Sequence, residues 1–387
     1  MDFNPTEEQR MFRDAVRGIA ERHCGVGGVA RAHADKMPME IARAFAAEGL
    51  MGITIPEVDG GQGGSLMDAV IAIEEVSMVC PRSAEVLQAG NFGAIRTLAA
   101  FGSDDQKARY LPALLAGEKL ISLGMSEPDA GSAVTDLRTS ATSDGEGFRI
   151  NGSKIFGTHS AEAETFLIYV RFGPGTAGIG SVLLERGMAG FTQGEPSVFM
   201  NSDVWQALYF DNVFVPAGQV LLGPGGFAKQ MAGFNAERIG NTARSLAFGS
   251  FAFEAARRHA MERQQFGRPL CEFQGLQWKF ADIKARLEGG RLLLYRAAAA
   301  ADNGLPNADD TALAKLVCNE AGFVACDEAM QIMGGAGFSQ DFLVEYCFRK
   351  TRGWRIAGGS SEMMRNRIAE GIFERRFSQR PLRSEKD

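Results

Sequence analysis

The sequence predicts a mainly α, α+β chain built as a helical N-terminal domain, a central β-barrel-like domain and a C-terminal helical bundle. Three observations carry this. From Pro5 to about Gly117 the chain reads as helices separated by turn clusters. From about Lys119 to Pro224 it breaks into short β-rich runs divided by Gly, Pro, Asn and Asp. From Gly226 onward apolar residues recur at three- and four-residue spacing over long stretches. The corresponding domains are 1–118, 119–225 and 226–387.

Thr6-Glu7-Glu8 opens the first helix, the run from Glu57 to Ser65 breaks the middle of the helical region, and Asp104-Asp105 precede another helix. The strand candidates are Phe148–Ile150, Phe166–Val170, Ser181–Leu184 and Leu208–Phe210, with Asn151-Gly152 as a hairpin-like turn. In the last third, Phe273, Leu276, Phe280, Ile283 and Leu287 mark one apolar face, and Leu313, Leu316, Val317 and Val324 mark another. Gly334-Gly335 closes the second of these helices, and four or five long helices imply a bundle.

The chain has 387 residues, 45% apolar and 23% charged, with a formal charge of −6. That is the balance of a globular protein with sizeable cores, and it offers no basic stripe to nucleic acid. Arg349-Lys350-Thr351-Arg352 reads as a solvated helix face. The six cysteines include no CxxC pair and the four histidines no metal-ligand spacing, so neither a disulfide framework nor a metal site is expected. His23 beside Cys24 reads as two residues pointing in different directions on a helix. With a charged start and no long apolar run, no membrane segment is expected and the location reads as cytoplasmic. No dinucleotide fingerprint follows a strand, and Gly60-Gly61-Gln62-Gly63-Gly64 lacks the lysine of a phosphate-binding loop.

Four segments carry chemistry. Ile121 to Ser132 is an apolar strand entering a Pro/Gly loop, where backbone N–H groups can be left pointing at a ligand; most such loops are only turns. In Ile155-Phe156-Gly157-Thr158 the aromatic reads as a packing residue. Arg263-Gln264-Gln265-Phe266-Gly267 sits at a helix end and suits a dinucleotide, with guanidinium on the pyrophosphate and ring against adenine, or forms a surface ion pair. Gly358-Gly359-Ser360-Ser361-Glu362 enters a helix with serine at the cap, which is an anion site or a plain helix start. Glu237, taken alone, reads as one more solvated or ion-paired helical glutamate.

In this order, from about residue 5 to residue 376, the segments resemble the acyl-CoA dehydrogenase family. The resemblance implies the fold of that family, with a four-helix bundle at its C-terminal end, and FAD as cofactor. It places Leu123, Met125, Ser126, Gly131 and Ser132 on the flavin strand and loop, with Ser132 also near the CoA phosphates. Phe156, where the family normally has tryptophan, and Thr158 would lie along the ring. Arg263, Gln265, Phe266, Gln274, Gln331 and Gly335 would reach the neighbouring subunit's FAD, and Ser360 and Glu362 would stand on the FAD side.

Glycine at 358 stands where most members carry the catalytic base. In the branch that includes isovaleryl- and long-chain-type enzymes, the base precedes an arginine on an earlier helix, and that residue here is Glu237. Asn235, Arg238, Gly358 and Gly359 would contact substrate. The implied reaction is α,β-dehydrogenation of an acyl-CoA by a homodimer or homotetramer, with electrons passed to an electron-transfer flavoprotein. Glycine at 358 and Ala357 in place of a bulky residue would leave volume for branched, cyclic or carboxylated acyl groups. Ala133 and Met200-Asn201-Ser202-Asp203 also depart from the family pattern. Residues 130–133 and 263–278 resemble the 3-sulfinopropionyl-CoA desulfinases, which lack the carboxylate at 237, and Gly358-Gly359-Ser360 resembles crotonobetainyl-CoA reductases. A CoA-binding protein without turnover is the alternative from another class.

Overall fold

The computed structural model describes residues 4–301 and 305–379. The outer limits of the first and third expected domains, residues 1 and 387, lie outside the described residues, as do the first three residues of the charged start.

Seven helices come first: α1 (Glu7–Cys24), α2 (Gly28–Ala32), α3 (Met39–Ala47), α4 (Leu66–Val79), α5 (Ala84–Asn91), α6 (Gly93–Phe101) and α7 (Asp104–Leu115). Sequence chemistry fixes three of their starts. Thr6, Ser65 and Ser103 each accept a hydrogen bond from the backbone three residues on, where Gln9, Asp68 and Gln106 answer with their side chains. Each such box satisfies two N–H donors that a helix start leaves open. α4 buries both faces, against α1 and α8, and accordingly shows almost no polar stripe.

The central region holds β1 (Ile121–Gly124), β2 (Ser140–Asp144), β3 (Gly147–Lys154), β4 (Thr165–Arg171), β5 (Ile179–Glu185), β6 (Phe191–Gln193), β7 (Ser197–Val198), β8 (Val204–Trp205), β9 (Leu208–Pro216) and β10 (Val220–Leu222). Eight of them form one sheet in the order β10-β5-β4-β2-β3-β9-β6, with β1 parallel to β4. β4 and β5 are buried along nearly their whole length, which is why their apolar runs are continuous rather than alternating. Asn151-Gly152 is not a hairpin turn. It lies inside β3, where the register with β9 slips between Ile150 and Gly152, and a Cβ at 152 would come within 2.7 Å of Thr139 Cα. The glycine serves a bulge and a close backbone approach.

The third region is α8 (Phe227–Glu262), a short hairpin of β11 (Gln264–Gln265) and β12 (Arg268–Pro269), then α9 (Gln274–Ala299), α10 (Ala308–Met333), α11 (Gly335–Phe338), α12 (Leu343–Trp354) and α13 (Ser361–Ile372). Gly334 ends α10 with φ 60°, in keeping with its sequence reading. The core face of α10 is not the expected Leu/Val stripe. Leu313, Leu316 and Val317 are half-buried, whereas Thr311, Ala314, Lys315, Cys318, Asn319, Gly322 and Ala325 are buried. The cause is a tight crossing with α8: a Cβ on Gly249 would sit 2.8 Å from Gly322 Cα, and one on Gly322 would sit 2.2 Å from the Ser245 carbonyl oxygen. Only small residues permit that approach.

A buried charge cluster joins the three regions. Glu85 accepts from Arg82 at 2.5 Å and from Tyr346 Oη at 2.8 Å, and is paired with Lys350. Lys350 also donates to Asp203 at 2.6 Å, and Arg82 reaches Asp203 at 3.1 Å. Lys350 is 2% exposed and Thr351 fully buried, so this part of the basic run is not a solvated face. Arg349, half-buried beside them, ties α12 to the Met200–Ser202 turn. Burial opposes ionisation of Glu85, yet the charges of Arg82, Lys350 and Arg244 outweigh it and hold the carboxyl well below the usual carboxylate range. The stability it contributes is therefore present at neutral pH and lost only in strong acid. Glu85→Gln would leave the cations uncompensated and is expected to cost about 3–5 kcal/mol, read as a large fall in the urea midpoint that Glu254→Gln on the surface does not reproduce.

Candidate active site

Glu237 stands on α8, half-buried, in the path of α5 and α6. Its Oε2 accepts from Gln88 Nε2 at 2.7 Å and its Oε1 from Asn241 Nδ2 at 3.0 Å. Asn241 is one helical turn away, and its own oxygen accepts from Arg244 at 2.7 Å. That bond leaves the Asn241 amide only its NH2 group to offer the carboxyl. Gly93, at φ 66°, opens α6 against the other side, and a Cβ there would lie 2.4 Å from Glu237 Oε2. Burial raises the Glu237 pKa, against the pull of Arg244, the two amides and Lys315. A carboxyl so placed gives up its proton later than an ordinary glutamate and takes one back more readily.

The Gly358 loop closes on the same point. It follows the last residue of α12, with Gly358 at φ 73° and Gly359 at φ 94°. The Gly358 carbonyl accepts from Arg238 Nε at 2.8 Å, while Arg238 Nη1 donates to Asn235 Oδ1 at 2.8 Å and the guanidinium lies over Phe234. Burial brings the Arg238 pKa down to about 10. A Cβ at 358 would lie 3.4 Å from Asn241 Nδ2 and 3.4 Å from Lys315 Cε. A side chain at 358 would thus start in ordinary contact with these two residues. Asn235, Glu237, Arg238, Gly358 and Gly359 are assembled into one contiguous group.

A second group forms at the edge of β1. Leu123 lies on that strand, Ser122 Oγ donates to the Thr158 carbonyl at 2.7 Å, and the Ser126 carbonyl accepts from Ile155 N at 2.9 Å. These bonds bring Leu123, Met125 and Ser126 beside the 155–158 segment. Glu127 locks the loop: its carboxylate accepts from Thr139 N and Arg138 N and pairs with Lys154 at 2.7 Å, both side chains being buried. Gly131 and Ser132 follow, exposed. Phe156 adopts φ 60°, a strained conformation for an aromatic residue, and is 53% exposed. Its ring meets Trp205 at 4.6 Å and Phe199 at 5.8 Å. The indole absent from position 156 is therefore present beside it, delivered by β8. An exposed aromatic wall next to a strand edge fits a planar heteroaromatic ring.

Six of the remaining expected cofactor residues are exposed at helix ends and on a hairpin away from this group. Arg263 caps α8; Gln265 and Phe266 stand on the β11–β12 hairpin with Phe266 94% exposed; Gln274 begins α9; Gln331 and Gly335 flank the end of α10. Ser360 caps α13 by accepting from Met363 N, and Glu362 lies exposed in its first turn. Sequence reasoning did not single out Gln88, Asn241, Arg244, Lys315, Trp205, or the Glu127–Lys154 pair. Asn241 had a signal, its four-residue spacing from Glu237; Gln88 had none.

Comparison with known proteins decides the family. Models of the N-terminal, middle and C-terminal domains of acyl-CoA dehydrogenase match residues 6–118, 122–213 and 224–373. The chain belongs to the acyl-CoA dehydrogenase family. It is 35% identical to a short-chain specific acyl-CoA dehydrogenase of Clostridium acetobutylicum, over 96% of this chain and 100% of that one. It is 32% identical to a 3-sulfinopropanoyl-CoA desulfinase of Paraburkholderia xenovorans, over 98% and 99%. Butyryl-CoA dehydrogenase from Megasphaera elsdenii superposes with a TM-score of 0.89 at 30% identity, over 96% of this chain and 100% of that structure. The protein is accordingly a flavoprotein oxidoreductase with FAD as its cofactor. Among the described residues no helix is long and apolar enough to cross a membrane.

Gly93→Ala is expected to push the Glu237 carboxyl off its two amide donors. In protein that still holds FAD, turnover should fall roughly a hundredfold, as misplacement of a reacting group by an ångström can do; unchanged turnover would show that the carboxyl tolerates displacement.

Proposed function

We propose that this acyl-CoA dehydrogenase removes hydrogen across the α,β-bond of an acyl-CoA thioester, with Glu237 as the general base. One observation carries the reading. Asn241 Nδ2 donates to Glu237 Oε1 and would also lie 3.4 Å from a side chain starting at 358. A carboxylate on α8 and one in the 358 loop therefore address the same small volume, so a glycine at 358 loses no chemistry while Glu237 is present.

The α-proton of a thioester is weakly acidic, and its removal needs a positioned, ionised acceptor. Glu237 is positioned by Gln88, Asn241 and bare Gly93. Arg238 fixes the Gly358 backbone by holding its carbonyl, which leaves the adjacent N–H groups to meet charge building on the thioester oxygen. FAD, when bound, supplies the acceptor for the β-hydrogen as hydride, and Leu123, Met125, Ser126, Phe156 and Thr158 are the residues that would hold its ring. Phe156, Phe199 and Trp205 would keep water from that face. The raised pKa of Glu237 places the loss of activity on the acid side above the range of an ordinary glutamate: protonation removes the base as pH falls. The carboxylate supports dehydrogenation over desulfination, for which no α-proton acceptor at this helical position is expected.

Exposed Phe266, Arg263, Gln331 and Gly335, far in sequence from the flavin-edge loop, support a homodimer or homotetramer that shares FAD between subunits. The electron acceptor we assign is an electron-transfer flavoprotein. An anaerobic titration with butyryl-, isovaleryl-, glutaryl- and 3-sulfinopropanoyl-CoA tests the reaction: one of the first three should bleach the flavin, and bleaching by none would remove the dehydrogenase reading.

Glu237→Gln keeps size and helix propensity, so kcat should drop by about 10²–10⁴-fold with FAD content near wild type. Gly358→Glu on that background should recover part of the rate, and retention of most activity by the single variant would place the base elsewhere. Arg263→Ala should loosen FAD and subunit association together, measured by flavin retention and sedimentation; a monomer with a full complement of FAD would contradict sharing.

A further inference from the structure

The buried face of α10 is uncharged except at Lys315, which is 1% exposed. Its Nζ donates to the carbonyl of Trp354, where α12 ends, at 2.9 Å. Asn319, one turn along α10, donates to the same oxygen at 2.8 Å. A neutral amide thus already satisfies that carbonyl, and fastening the start of the Gly358 loop does not by itself call for a charge. A buried ammonium is costly unless something nearby uses it.

The amine borders the catalytic group. A Cβ at 358 would lie 3.4 Å from Lys315 Cε and 3.8 Å from Nζ, and equally 3.4 Å from the Asn241 nitrogen that serves Glu237. Glu237 and Arg238, both on α8, are the charged groups acting on it. α12 presents the Trp354 carbonyl, while Arg355 and Ser361, at the approach to α13, are engaged by Glu320 at 2.9 and 2.8 Å. From α9, Lys279 is paired with Glu328. Burial, aided by Arg238 and resisted by Glu237, brings the Lys315 pKa down to about 7. The lysine in turn pulls the Glu237 pKa down against burial. Each partner favours the charged form of the other.

We infer that Lys315 is a positioning residue of this active site, whose ammonium, seated behind the Gly358 backbone, holds Glu237 in its ionised, proton-accepting form. The inference rests on Glu237 being the base and adds the group that keeps it one. In the acidic range the lysine is charged and the glutamate is the group that titrates; Arg244 and the amides of Gln88 and Asn241 pull its pKa down more strongly, and the lysine adds to them in placing the acid limb of the activity profile.

The test is kcat/KM against pH for the FAD-loaded enzyme, using the acyl-CoA of the panel above that bleaches the flavin. Lys315→Met should move the acid limb upward by about half a pH unit or more, since loss of a nearby positive charge raises a carboxyl pKa. Lys315→Arg should restore the wild-type limb. Asn319→Ala, which removes the uncharged donor to Trp354, should leave the limb in place. If Lys315→Met leaves the limb unmoved, or if Asn319→Ala moves it equally, the charge has no such role. Should Lys315→Met lose FAD, Lys315→Gln, which keeps a donor for the Trp354 carbonyl, takes its place; loss of FAD from both assigns the lysine to folding and overturns the inference. Glu237→Gln separates this from the parent reading. Retained turnover in that variant removes Glu237 as base, whereas abolished turnover together with an unmoved Lys315→Met limb overturns only the role of the lysine.

Discussion

The carboxylate of Glu85 is the point on which the architecture turns. It begins α5 in the first helical region, yet its partners Arg244, Tyr346 and Lys350 come from the last, and Lys350 continues to Asp203 in the β-rich region. A buried ion cluster is weak evidence of stability when set against an apolar core of the same shape, but removing one member leaves charge stranded in a poor dielectric. The cluster therefore penalises any arrangement of the three regions in which these side chains fail to meet. It also continues into the candidate site: Arg244 is 3.9 Å from Glu85, orients Asn241, and through it Glu237. Interdomain register and the setting of the proposed base are one connected set of polar contacts.

What the sequence disclosed follows physical lines. Element types were legible because helix and strand periods are local, and the first helix start because Thr6 caps within three residues; Ser65 and Ser103 cap in the same way, although the sequence reading placed Ser65 in a breaking run and Asp104-Asp105 before rather than at the start of α7. The identity of Glu237 as a candidate came from the Gly358 substitution and the family pattern, not from periodicity. Lys350 was misread because a basic run looks solvated until its partners, 147 and 265 residues earlier in the chain, are brought to it. The face of α10 was misread for a related reason. Apolar periodicity identifies bulk, whereas a helix crossing that closes on glycine buries its small side and turns Leu313 and Leu316 toward the margin. Gln88 and Trp205 could not be found at all, since each reaches its site from an element that only tertiary structure places there.

The departures from family pattern also read differently in three dimensions. Phenylalanine at 156 is matched by tryptophan at 205, so the aromatic wall is made by the segment after β3 together with β8 rather than by one position alone. Met200-Asn201-Ser202-Asp203, unusual in sequence, is fastened at both ends, by Arg349 to Met200 and Ser202 and by Lys350 to Asp203. Its odd composition serves the ion cluster, and this bears on how the sheet region is moored more directly than on which substrate enters.

α8 is a single uninterrupted rod of 36 residues. Glu237 lies near its beginning and Arg263 caps its end, about 39 Å away at the rise of an α-helix. The Gly249–Gly322 crossing lies between them, about 18 Å from the glutamate and about 21 Å from the capping residue at that rise, so a tilt of one degree there would move each by roughly 0.3–0.4 Å. Any such tilt would carry the two ends of the helix in opposite senses. Were the far end to rest on a second subunit, as proposed above, the subunit contact and the setting of Glu237 would share one rigid element.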